Sequence, residues 1–346
     1  MLRYITAGES HGKALMAILE GMPSGLRINT DFINHELWRR QQGVGRGKRM
    51  KIEKDTIHVL SGIRKGITIA SPIGLLIENK DSSIENLPDI ICPRPGHADL
   101  AGVLKYNFTD ARNVLERASA RETAIHVAVG AVCKMFLTEF DISVSSRVIS
   151  IGGADSEESM VDAVAGAQAE HDTLGGIFEI IVSGIIPGLG SYTQEDRRLD
   201  GRLSHAVMAV PGIKAVEIGL GFGYSDKRGS QCHDAIYFKK GKGFYRKTNN
   251  AGGIEGGMSN GEDIIIRACM KPISTLMHPL DSVNIITKKQ AKATVERSDV
   301  AAVESAGVVA EAVTAYVIAD AFTDKFGNDC LSDIKNFFKS YVKRLA

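Results

Sequence analysis

The sequence predicts a mixed α+β (α/β) protein, folded as one large domain over residues 1–346, and three observations support this prediction. Segments with strand-like and helical patterns of apolar residues alternate along the chain. Hydrophobic residues make up 44% of the 346 positions, which is enough to build a sizeable core. The glycine-rich loops are spread along the chain instead of collecting at one junction, so no interdomain linker is predicted.

The first third of the chain is interrupted by glycine, proline and charged residues and contains two predicted strands, and a long helix follows. Residues 57–63 and 67–78 are apolar runs rich in isoleucine, valine and threonine, which favour strands. In residues 120–140 the apolar side chains recur at helical spacing, which predicts a helix of about five turns with a buried face. A short similarity between residues 58–63 and 181–185 suggests duplicated halves, although two ordinary strands ending in Ser-Gly would look the same.

The second half is predicted to alternate helices with strands. Asp155 and Glu158 are spaced as a capping box, which predicts a helix that runs to about Glu170 and ends before the glycine pair 175–176. The remaining predicted elements are a strand over residues 177–186, a helix over 199–210, a strand over 215–220, a helix over 291–322 and an amphipathic helix over 331–344.

Composition and charge exclude several classes of function. The 42 basic and 41 acidic residues give a net charge of +1, so neither nucleic acid nor an anionic membrane is predicted as the main partner. No apolar stretch reaches the roughly 18 residues of a membrane span, since the best candidate, residues 300–322, contains three carboxylates. The N-terminal residues lack the apolar core of a secretory signal, so we expect a cytoplasmic protein. The five cysteines are scattered singly, and no metal site is predicted.

Two nucleotide-binding patterns are incomplete. Residues 219–224 have glycines at the first, third and fifth positions, but Tyr224 occupies the sixth position of the dinucleotide fingerprint. Gly47-Lys48 is followed by Arg49 where a P-loop needs serine or threonine. Glycine is nevertheless abundant, at 36 of 346 residues, against about 7% in average proteins. We therefore expect the glycines to serve tight turns or a backbone that a ligand approaches closely.

Two loops combine glycine with polar or basic residues. Arg39 and Arg40 precede residues 43–49, which contain three glycines and three further cations. This loop is either a solvated basic turn or a clamp for phosphate or carboxylate, because guanidinium groups bind these anions through paired hydrogen bonds. Residues 252–261 contain five glycines, and such a density indicates close backbone packing or a planar ligand.

Two histidines lie among residues suited to proton transfer. In residues 8–12, His11 is accompanied by a carboxylate and a hydroxyl, which fits either a nucleophile with its base or a turn whose polar groups satisfy one another. In residues 94–99, a Pro-Gly turn presents His97 between a basic and an acidic residue. Histidine has an ordinary pKa of about 6.5 and therefore suits acid–base chemistry near neutral pH.

Three further segments add hydrogen-bond donors for anions. Residues 117–123 open the long helix with two arginines and a hydroxyl, and helix N-termini favour anions. Residues 271–275 and 297–299 add a lysine, an arginine, hydroxyls and one carboxylate. With neither a metal cluster nor a clear nucleophile triad, this inventory favours a lyase or transferase acting on an acidic phosphorylated metabolite over a hydrolase.

Taken together and in this order, these motifs closely resemble the chorismate synthase family. The matching segments are Gly8-Glu9-Ser10-His11-Gly12, Arg94-Pro95-Gly96-His97-Ala98-Asp99, Ser119-Ala120-Arg121-Glu122-Thr123, Gly252-Gly253-Ile254-x-Gly256-Gly257, Lys271-Pro272 and Arg297-Ser298-Asp299. The resemblance covers nearly the whole chain. It implies a β-α-β sandwich, with helices between two antiparallel sheets, assembled as a homotetramer.

The resemblance also implies an activity. Chorismate synthases convert 5-enolpyruvylshikimate 3-phosphate to chorismate and phosphate by a 1,4-anti elimination, which is the last step of the shikimate pathway. The reaction requires reduced FMN although it involves no net redox change. Some members reduce their own flavin with NADPH, and the sequence leaves open whether this chain does so.

The family's site residues carry over to the matching positions of this chain. The resemblance implies that His11 protonates the departing phosphate, that His97 protonates the reduced flavin near N1, and that Asp299 takes part in proton movement at flavin N5. The residues that it implies for binding of substrate, or of NADPH in the case of Arg40 and Arg46, are Ser10, Arg40, Arg46, Arg94 and Arg121. The residues that it implies for binding of flavin are Arg117, Ala118, Ser119, Pro211, Gly212, Gly256, Lys271, Pro272, Ile273, Ser274, Thr275 and Arg297.

Two positions depart from the family pattern, and two other functions remain open. Asn113-Val114-Leu115-Glu116 stands where many relatives have glycines, and Asn250 stands where they have histidine. The other functions are an NAD(P)H-dependent flavin oxidoreductase acting on an acidic metabolite and a non-catalytic module for a phosphorylated ligand. A reductase would usually carry the dinucleotide fingerprint, and a binding module would not need two histidines and an aspartate beside the cations.

Overall fold

The structure is a computed structural model, and it describes residues 1–46, 54–241, 243–296 and 298–345. Strands and helices alternate through these residues, as the sequence predicts. The strands are β1 (Arg3–Ala7), β2 (Ala14–Glu20), β3 (Ile57–Val59), β4 (Ile63–Arg64), β5 (Ile67–Thr68), β6 (Ile73–Glu78), β7 (Ser143–Ile151), β8 (Gly176–Ser183), β9 (Ile213–Ile218), β10 (Ile236–Lys239), β11 (Gly243–Arg246), β12 (Ile254–Glu255), β13 (Met258–Ser259), β14 (Ile264–Met270), β15 (Asp281–Val283) and β16 (Gln290–Lys292). The helices are α1 (Thr30–Gln41), α2 (Asp99–Tyr106), α3 (Arg112–Ala118), α4 (Thr123–Thr138), α5 (Glu157–Ala169), α6 (Leu199–Met208), α7 (Gly229–Cys232), α8 (Val303–Phe326) and α9 (Leu331–Leu345).

Two four-stranded antiparallel sheets form the outer layers of the fold. Sheet A has the strand order β1-β2-β6-β3, and sheet B has the order β7-β8-β14-β9. Each sheet buries one face, because buried apolar side chains alternate with more exposed positions along its strands. In β2, for example, Leu15 and Leu19 are buried whereas Met16 and Ile18 are exposed.

Helices α4 and α8 lie between the two sheets. α4 packs against β2 and β6 of sheet A, and α8 packs against β7 and β8 of sheet B. Both helices are buried around most of their circumference, as expected for helices in a protein core. α1 and α6 pack beside them. The helices therefore lie between two antiparallel sheets, which confirms the predicted fold class.

By length and composition alone, α8 could cross a membrane. However, 89% of its most apolar 18-residue window is buried inside the protein. The carboxylates of this helix are also engaged within the fold: Glu311 accepts hydrogen bonds from Arg39, and Asp320 accepts one from Arg202. These contacts identify α8 as the central helix of the core.

The two halves of the chain repeat one topology. In each four-stranded sheet, the fourth strand along the chain lies between the second and the third. A helix (α1 or α6) links the second and third strands, and a long core helix (α4 or α8) follows the fourth. The sequence similarity between residues 58–63 and 181–185 does not mark this repeat, because it relates β3 at a sheet edge to β8 inside the other sheet.

The predicted boundaries of two helices are wrong. The helix expected from Asp155 is capped instead by Ser156, whose N–H donates to the Ser159 hydroxyl (3.1 Å) while its own hydroxyl accepts from the Ser159 N–H (3.3 Å). The helix expected over residues 291–322 begins only at Val303. Its first residues are part of β16, which pairs with β15.

The predicted strands over residues 57–63 and 67–78 are each divided. Gly62, Gly66 and Ala70 adopt positive φ angles of 83°, 76° and 60°, which turn the backbone and interrupt the ladder. β4 and β5 consequently form a separate two-stranded hairpin beside sheet A. The remaining predicted elements are present, with ends shifted by a few residues.

The two core helices approach each other closely at a glycine. A Cβ atom added to Gly130 in α4 would lie 2.3 Å from the Cβ and 2.4 Å from the Cα of Ala312 in α8. These separations are far below van der Waals contact, so a larger side chain requires the helices to move apart.

We predict that Gly130→Ala lowers the melting temperature, although alanine is the better helix former. Overpacking a core typically costs about 1–3 kcal/mol, which exceeds the gain of up to about 1 kcal/mol from helix propensity. Gly166→Ala in α5 is the matched control, since a Cβ there meets no atom of the described residues within 4 Å, and it should raise the melting temperature. Thermal unfolding of both variants measures the difference, and an unchanged melting temperature in Gly130→Ala would contradict the packing argument.

Candidate active site

A buried carboxylate joins two of the predicted substrate-binding arginines. Asp55 accepts a hydrogen bond at Oδ2 from Arg40 Nη2 (3.2 Å) and one at Oδ1 from Arg121 Nη1 (2.6 Å). All three side chains are buried, and we call them the Asp55 cluster. Burial lowers the pKa of Arg40 to about 10, and the positive charges of Arg121 and Arg46 act in the same direction against the favourable effect of Asp55. Arg40 therefore still carries its charge near neutral pH.

The basic loop after α1 is packed against the start of α8. The Val300 N–H donates to the Gly45 carbonyl (2.8 Å), and Arg46 forms an ion pair with Asp299. Gly45 has a φ of 83°, and a Cβ added there would lie 2.9 Å from the backbone nitrogen of Ala301. The described part of this loop is thus held in place and is not a freely solvated turn. The rest of the predicted basic loop, residues 47–53, lies outside the described residues.

Glu116 holds His11 through two contacts, one to its backbone and one to its ring. Its Oε2 accepts a hydrogen bond from the His11 backbone N–H (2.8 Å), and its Oε1 lies 3.0 Å from His11 Nδ1. On the other side of the ring, Asp81 Oδ2 lies 4.0 Å from His11 Nε2. The neighbouring Ser10 accepts a hydrogen bond from the Ser119 hydroxyl (3.2 Å). A ring oriented in this way by a carboxylate is suited to proton transfer.

A second cluster is built around Asp99, and we call it the Asp99 cluster (Arg94, His97, Asp99 and Thr275). The buried carboxylate accepts hydrogen bonds from Arg94 Nε (2.9 Å) and Nη2 (3.1 Å) and contacts His97 Nδ1. Arg94 also donates to the Thr275 hydroxyl (2.8 Å). Burial alone would raise the pKa of Asp99, but the hydrogen bonds from His97 and Arg94 outweigh it and hold the pKa well below its usual range. The ionised carboxylate therefore orients both His97 and Arg94.

Residues 298–299 connect the two clusters. Asp299 pairs with Arg46, which lies near enough to Arg40 to contribute to its lowered pKa. The Ser298 hydroxyl donates to the Thr275 carbonyl (3.0 Å). The predicted proton carrier Asp299 is therefore paired with Arg46, and its neighbour Ser298 contacts the Asp99 cluster through Thr275.

Two predicted flavin-binding segments meet beside the turn that carries His97. Lys271 Nζ donates to the Gly96 carbonyl, and the Lys271 N–H donates to the Gly212 carbonyl (2.9 Å). Burial lowers the pKa of Lys271, and the nearby Lys214 lowers it further. Residues 271–275 and 211–212, which are distant in sequence, thus form one surface next to the Asp99 cluster.

The other predicted flavin-binding residues are less closely tied to these clusters. Arg117 donates to the Gly8 carbonyl (2.9 Å) and to the Thr6 hydroxyl (2.8 Å), so it contacts the loop that carries His11. Ala118 and Ser119 follow it at the end of α3. Gly256 lies in the turn between β12 and β13, where an added Cβ would meet nothing within 4 Å. Arg297 lies outside the described residues.

Two of the three glycines of the incomplete dinucleotide pattern, Gly219 and Gly221, are required by packing. A Cβ on Gly219 would lie 2.1 Å from the Asn250 carbonyl, and one on Gly221 would lie 2.0 Å from the Glu217 carboxylate. Asn250, which departs from the family pattern, is held through its backbone N–H by Asp234 (2.9 Å). Gly219 therefore serves a contact between two loops, and Gly221 serves the turn that follows β9.

A cavity of about 650 Å³ lies between β1, α4, α6 and α8. Its volume is within the range of about 300–1,000 Å³ that is usual for small-molecule sites. Pro211, a predicted flavin-binding residue, lines this cavity together with Thr123 at the start of α4, whereas His11 and His97 are not in its lining. The cavity is therefore adjacent to the clusters but does not contain the two histidines.

Three residues of the site, Asp55, Asn79 and Glu116, are not predicted by the sequence motifs. Asp55 and Asn79 belong to no motif, yet Asn79 accepts from Arg121 Nε (3.0 Å) and donates to the Gly12 carbonyl (2.8 Å). Asn79 therefore ties the His11 loop to the Asp55 cluster. Glu116 was noted only as a departure from the family pattern, and nothing in its local sequence shows that it contacts His11.

Two antiparallel sheets around a helical core, with buried arginines and two carboxylate-oriented histidines, define an anion-binding enzyme equipped for proton transfer. A family model described as chorismate synthase matches residues 2–323. The chain is 57% identical over 344 residues to the chorismate synthase of Caldanaerobacter subterraneus subsp. tengcongensis, covering 99% of this chain and 98% of that protein. It is 49% identical over 378 residues to the chorismate synthase of Alkaliphilus metalliredigens, covering 99% and 100%. A crystal structure of a chorismate synthase superposes with a TM-score of 0.83 at 41% identity, covering 99% and 98%.

The chain belongs to the chorismate synthase family. The resemblance found in the sequence motifs is confirmed, and so is the enzyme class, that of carbon–oxygen lyases acting on phosphates. Neither the flavin oxidoreductase nor the non-catalytic binding module is favoured by these similarities.

Proposed function

We propose that this chain converts 5-enolpyruvylshikimate 3-phosphate to chorismate and phosphate by a 1,4-anti elimination at the Asp55 and Asp99 clusters. The observation that carries the proposal is the convergence of buried arginines, each paired with a carboxylate, with two histidines oriented by carboxylates. This arrangement supplies cations for the substrate's anionic groups and proton donors beside them.

We assign substrate binding to the arginines of the two clusters. The substrate carries two carboxylates and a phosphate, and guanidinium groups bind both kinds of anion through paired hydrogen bonds. Our candidates are Ser10, Arg40, Arg46, Arg94 and Arg121. The buried carboxylates Asp55 and Asp99 keep Arg40, Arg121 and Arg94 oriented before substrate arrives, which reduces the cost of reorganisation during the reaction.

We assign the proton transfers to three side chains. His11 is our candidate to protonate the departing phosphate, because Glu116 fixes its ring and leaves Nε2 available on the opposite side. His97, fixed by Asp99, is our candidate to deliver a proton near flavin N1. Asp299, paired with Arg46, is our candidate for proton movement at flavin N5.

The family is flavin-dependent, and we propose reduced FMN as the cofactor. The described residues fit such a group: an added Cβ on Gly256 would meet no described atom within 4 Å, and Lys271 supplies a cation beside the Gly96 carbonyl while its backbone N–H binds Gly212. The residues that would hold it are Arg117, Ala118, Ser119, Pro211, Gly212, Gly256, Lys271, Pro272, Ile273, Ser274, Thr275 and Arg297. When bound, the reduced flavin supplies the electron density that assists loss of phosphate without net redox change. Arg40 and Arg46 are also our candidates for contacts to NADPH.

We further propose that residues 1–346 form one domain, that the protein assembles as a homotetramer, and that it is cytoplasmic. One continuous set of buried apolar side chains runs from sheet A through the core helices to sheet B. The outer face of sheet A exposes Ile5, Met16 and Ile18, with Ile5 directly opposite Ile18, and an apolar patch of this kind favours association. All five cysteines are free thiols, as is usual in a reducing compartment.

The activity is tested by anaerobic incubation with pre-reduced FMN and 5-enolpyruvylshikimate 3-phosphate. We expect equimolar chorismate and phosphate, and no turnover with oxidised FMN. Absence of chorismate with reduced flavin would refute the proposed function, and equal turnover with oxidised flavin would refute the role of the reduced cofactor. A parallel reaction with NADPH under air shows whether the chain reduces its own flavin.

His11→Ala and His97→Ala are each expected to lower kcat by about 10²-fold or more, because a positioned acid usually contributes at least that much. His35→Ala serves as the control, since His35 is exposed and stacks on Trp38 in α1, away from both clusters. Steady-state kinetics with pre-reduced FMN measures the change. Wild-type turnover in either variant removes that histidine from the mechanism.

Ile18→Glu is expected to break the proposed tetramer, because it places a charge on the apolar outer face of sheet A. Light scattering after size-exclusion chromatography should give the mass of four 37.3-kDa chains for the wild type and a smaller mass for the variant. Val161→Glu is the control, because Val161 is similarly exposed but lies on α5. A variant that remains tetrameric would show that this face is not the interface.

A further inference from the structure

Glu116 makes more contacts with the loop of residues 8–12 than any motif in the sequence explains. Its carboxylate receives the His11 backbone N–H (2.8 Å) and lies 3.0 and 3.1 Å from His11 Nδ1 through its two oxygens. Its backbone carbonyl receives the Ser10 N–H (2.8 Å). The Glu116 side chain is only 2% exposed, so this carboxylate has been removed from water. A buried carboxylate is retained only where its hydrogen bonds compensate for the lost hydration.

The charges around His11 define how its ring is held. Glu116 is backed by Arg112, whose Nη1 lies 3.8 Å from Glu116 Oε1, so the carboxylate has a cation on one side and the imidazole on the other. Burial raises the pKa of Glu116, but hydrogen bonds from His11 and the charge of Arg112 outweigh it and lower the pKa overall. An ionised carboxylate can only accept hydrogen bonds. His11 must therefore carry a proton on Nδ1.

A proton on Nδ1 determines what the second ring nitrogen does. Nε2 lies on the opposite side of the ring, where Asp81 Oδ2 is 4.0 Å away. When the imidazole is neutral, Nε2 is the acceptor, and when it is protonated, Nε2 is the nitrogen that can release a proton to a ligand. A carboxylate that selects the tautomer of a catalytic histidine commonly decides its efficiency.

We propose that Glu116 is a positioning residue, which holds His11 with the proton on Nδ1 and with Nε2 facing the phosphate that leaves. The inference rests on the proposed function, because it assigns Glu116 a role through His11. Glu116 itself touches neither the substrate nor the flavin in this scheme. The orientation it imposes resembles that which Asp99 imposes on His97, so each candidate acid has its own buried carboxylate.

The test combines kinetics of single and double variants with a direct measurement of the His11 tautomer. Glu116→Gln keeps the size of the side chain and removes its charge, and Glu116→Asp keeps the charge on a shorter chain. In both variants the backbone carbonyl that receives the Ser10 N–H remains. Glu179→Gln is the matched control, because Glu179 is also buried and paired with an arginine, Arg147 (2.7 Å), on the strand pair of sheet B.

We expect Glu116→Gln to lower kcat by about 10- to 100-fold with a smaller change in KM, since a misplaced catalytic group costs about that much. Glu116→Asp should recover part of the loss, and Glu179→Gln should behave as wild type. In the His11→Ala background, Glu116→Gln should cause no further loss, because its effect passes through the ring. Ring ¹⁵N NMR should show Nδ1 protonated in the neutral wild-type imidazole and a mixture of tautomers in Glu116→Gln.

Three results would overturn the inference. These are wild-type kcat in Glu116→Gln, an equal additional loss in the His11→Ala background, and an unchanged tautomer in the variant. If His11→Ala is inactive while Glu116→Gln is fully active, the inference alone fails. If the wild-type protein with reduced FMN forms no chorismate, the proposed function fails, and the NMR measurement still reports whether Glu116 selects the tautomer.

Discussion

The close contact between α4 and α8 is the constraint on which the rest of this structure depends. Because Gly130 has no side chain, the helix axes approach so closely that Ala312 occupies the place where a Cβ of residue 130 would lie. The two sheets pack against the outer sides of this helix pair. A buried charge network fixes how the helices are aligned along this apolar contact. Lys134 of α4 lies 2.5 Å from Glu36 of α1 and also contacts Glu311 of α8. Because an isolated buried charge is very costly, the three helices can pack only in the register that pairs these groups.

The repeated topology brings the loop after the first helix of each half to the start of the core helix of the other half. The loop after α1 reaches the start of α8, where Gly45 contacts Val300, and the residues after α6 reach the start of α4, where Pro211 and Thr123 line one cavity. Both crossings end at a helix N-terminus, which favours anions through free N–H groups and the helix dipole. A neutral chain can thus bind an anionic substrate, because its cations are concentrated in the site and Arg40, Arg94 and Arg121 are balanced by buried carboxylates.

Paired charges also keep the arginine and histidine side chains of the site in fixed orientations, as the proposed elimination requires. Asp55 fixes Arg40 and Arg121, Asp99 fixes Arg94, and Glu116 fixes His11. Catalysis by electrostatic preorganisation requires donors that do not reorient as charge develops, and short contacts to buried carboxylates provide that. The same pairs explain why the net charge of +1 conveyed nothing about the ligand: the arginines of the two clusters, Arg40, Arg94 and Arg121, each have an anion nearby.

The sequence by itself determined the alternation of strands and helices, the positions of α4, α6, α9, β8 and β9, the family and the residue types of the site, because periodicity and motifs are local patterns. It did not reveal the start of α8, the cap of α5 or the pairing order of the strands, since competing hairpins and caps decide these. It also did not reveal the partners Asp55, Asn79 and Glu116. Their contacts join residues 66, 42 and 105 positions apart, and only the packing of sheet A against α4 brings such residues together. Tertiary structure therefore decided which carboxylate orients which cation, and with it what each predicted residue is able to do.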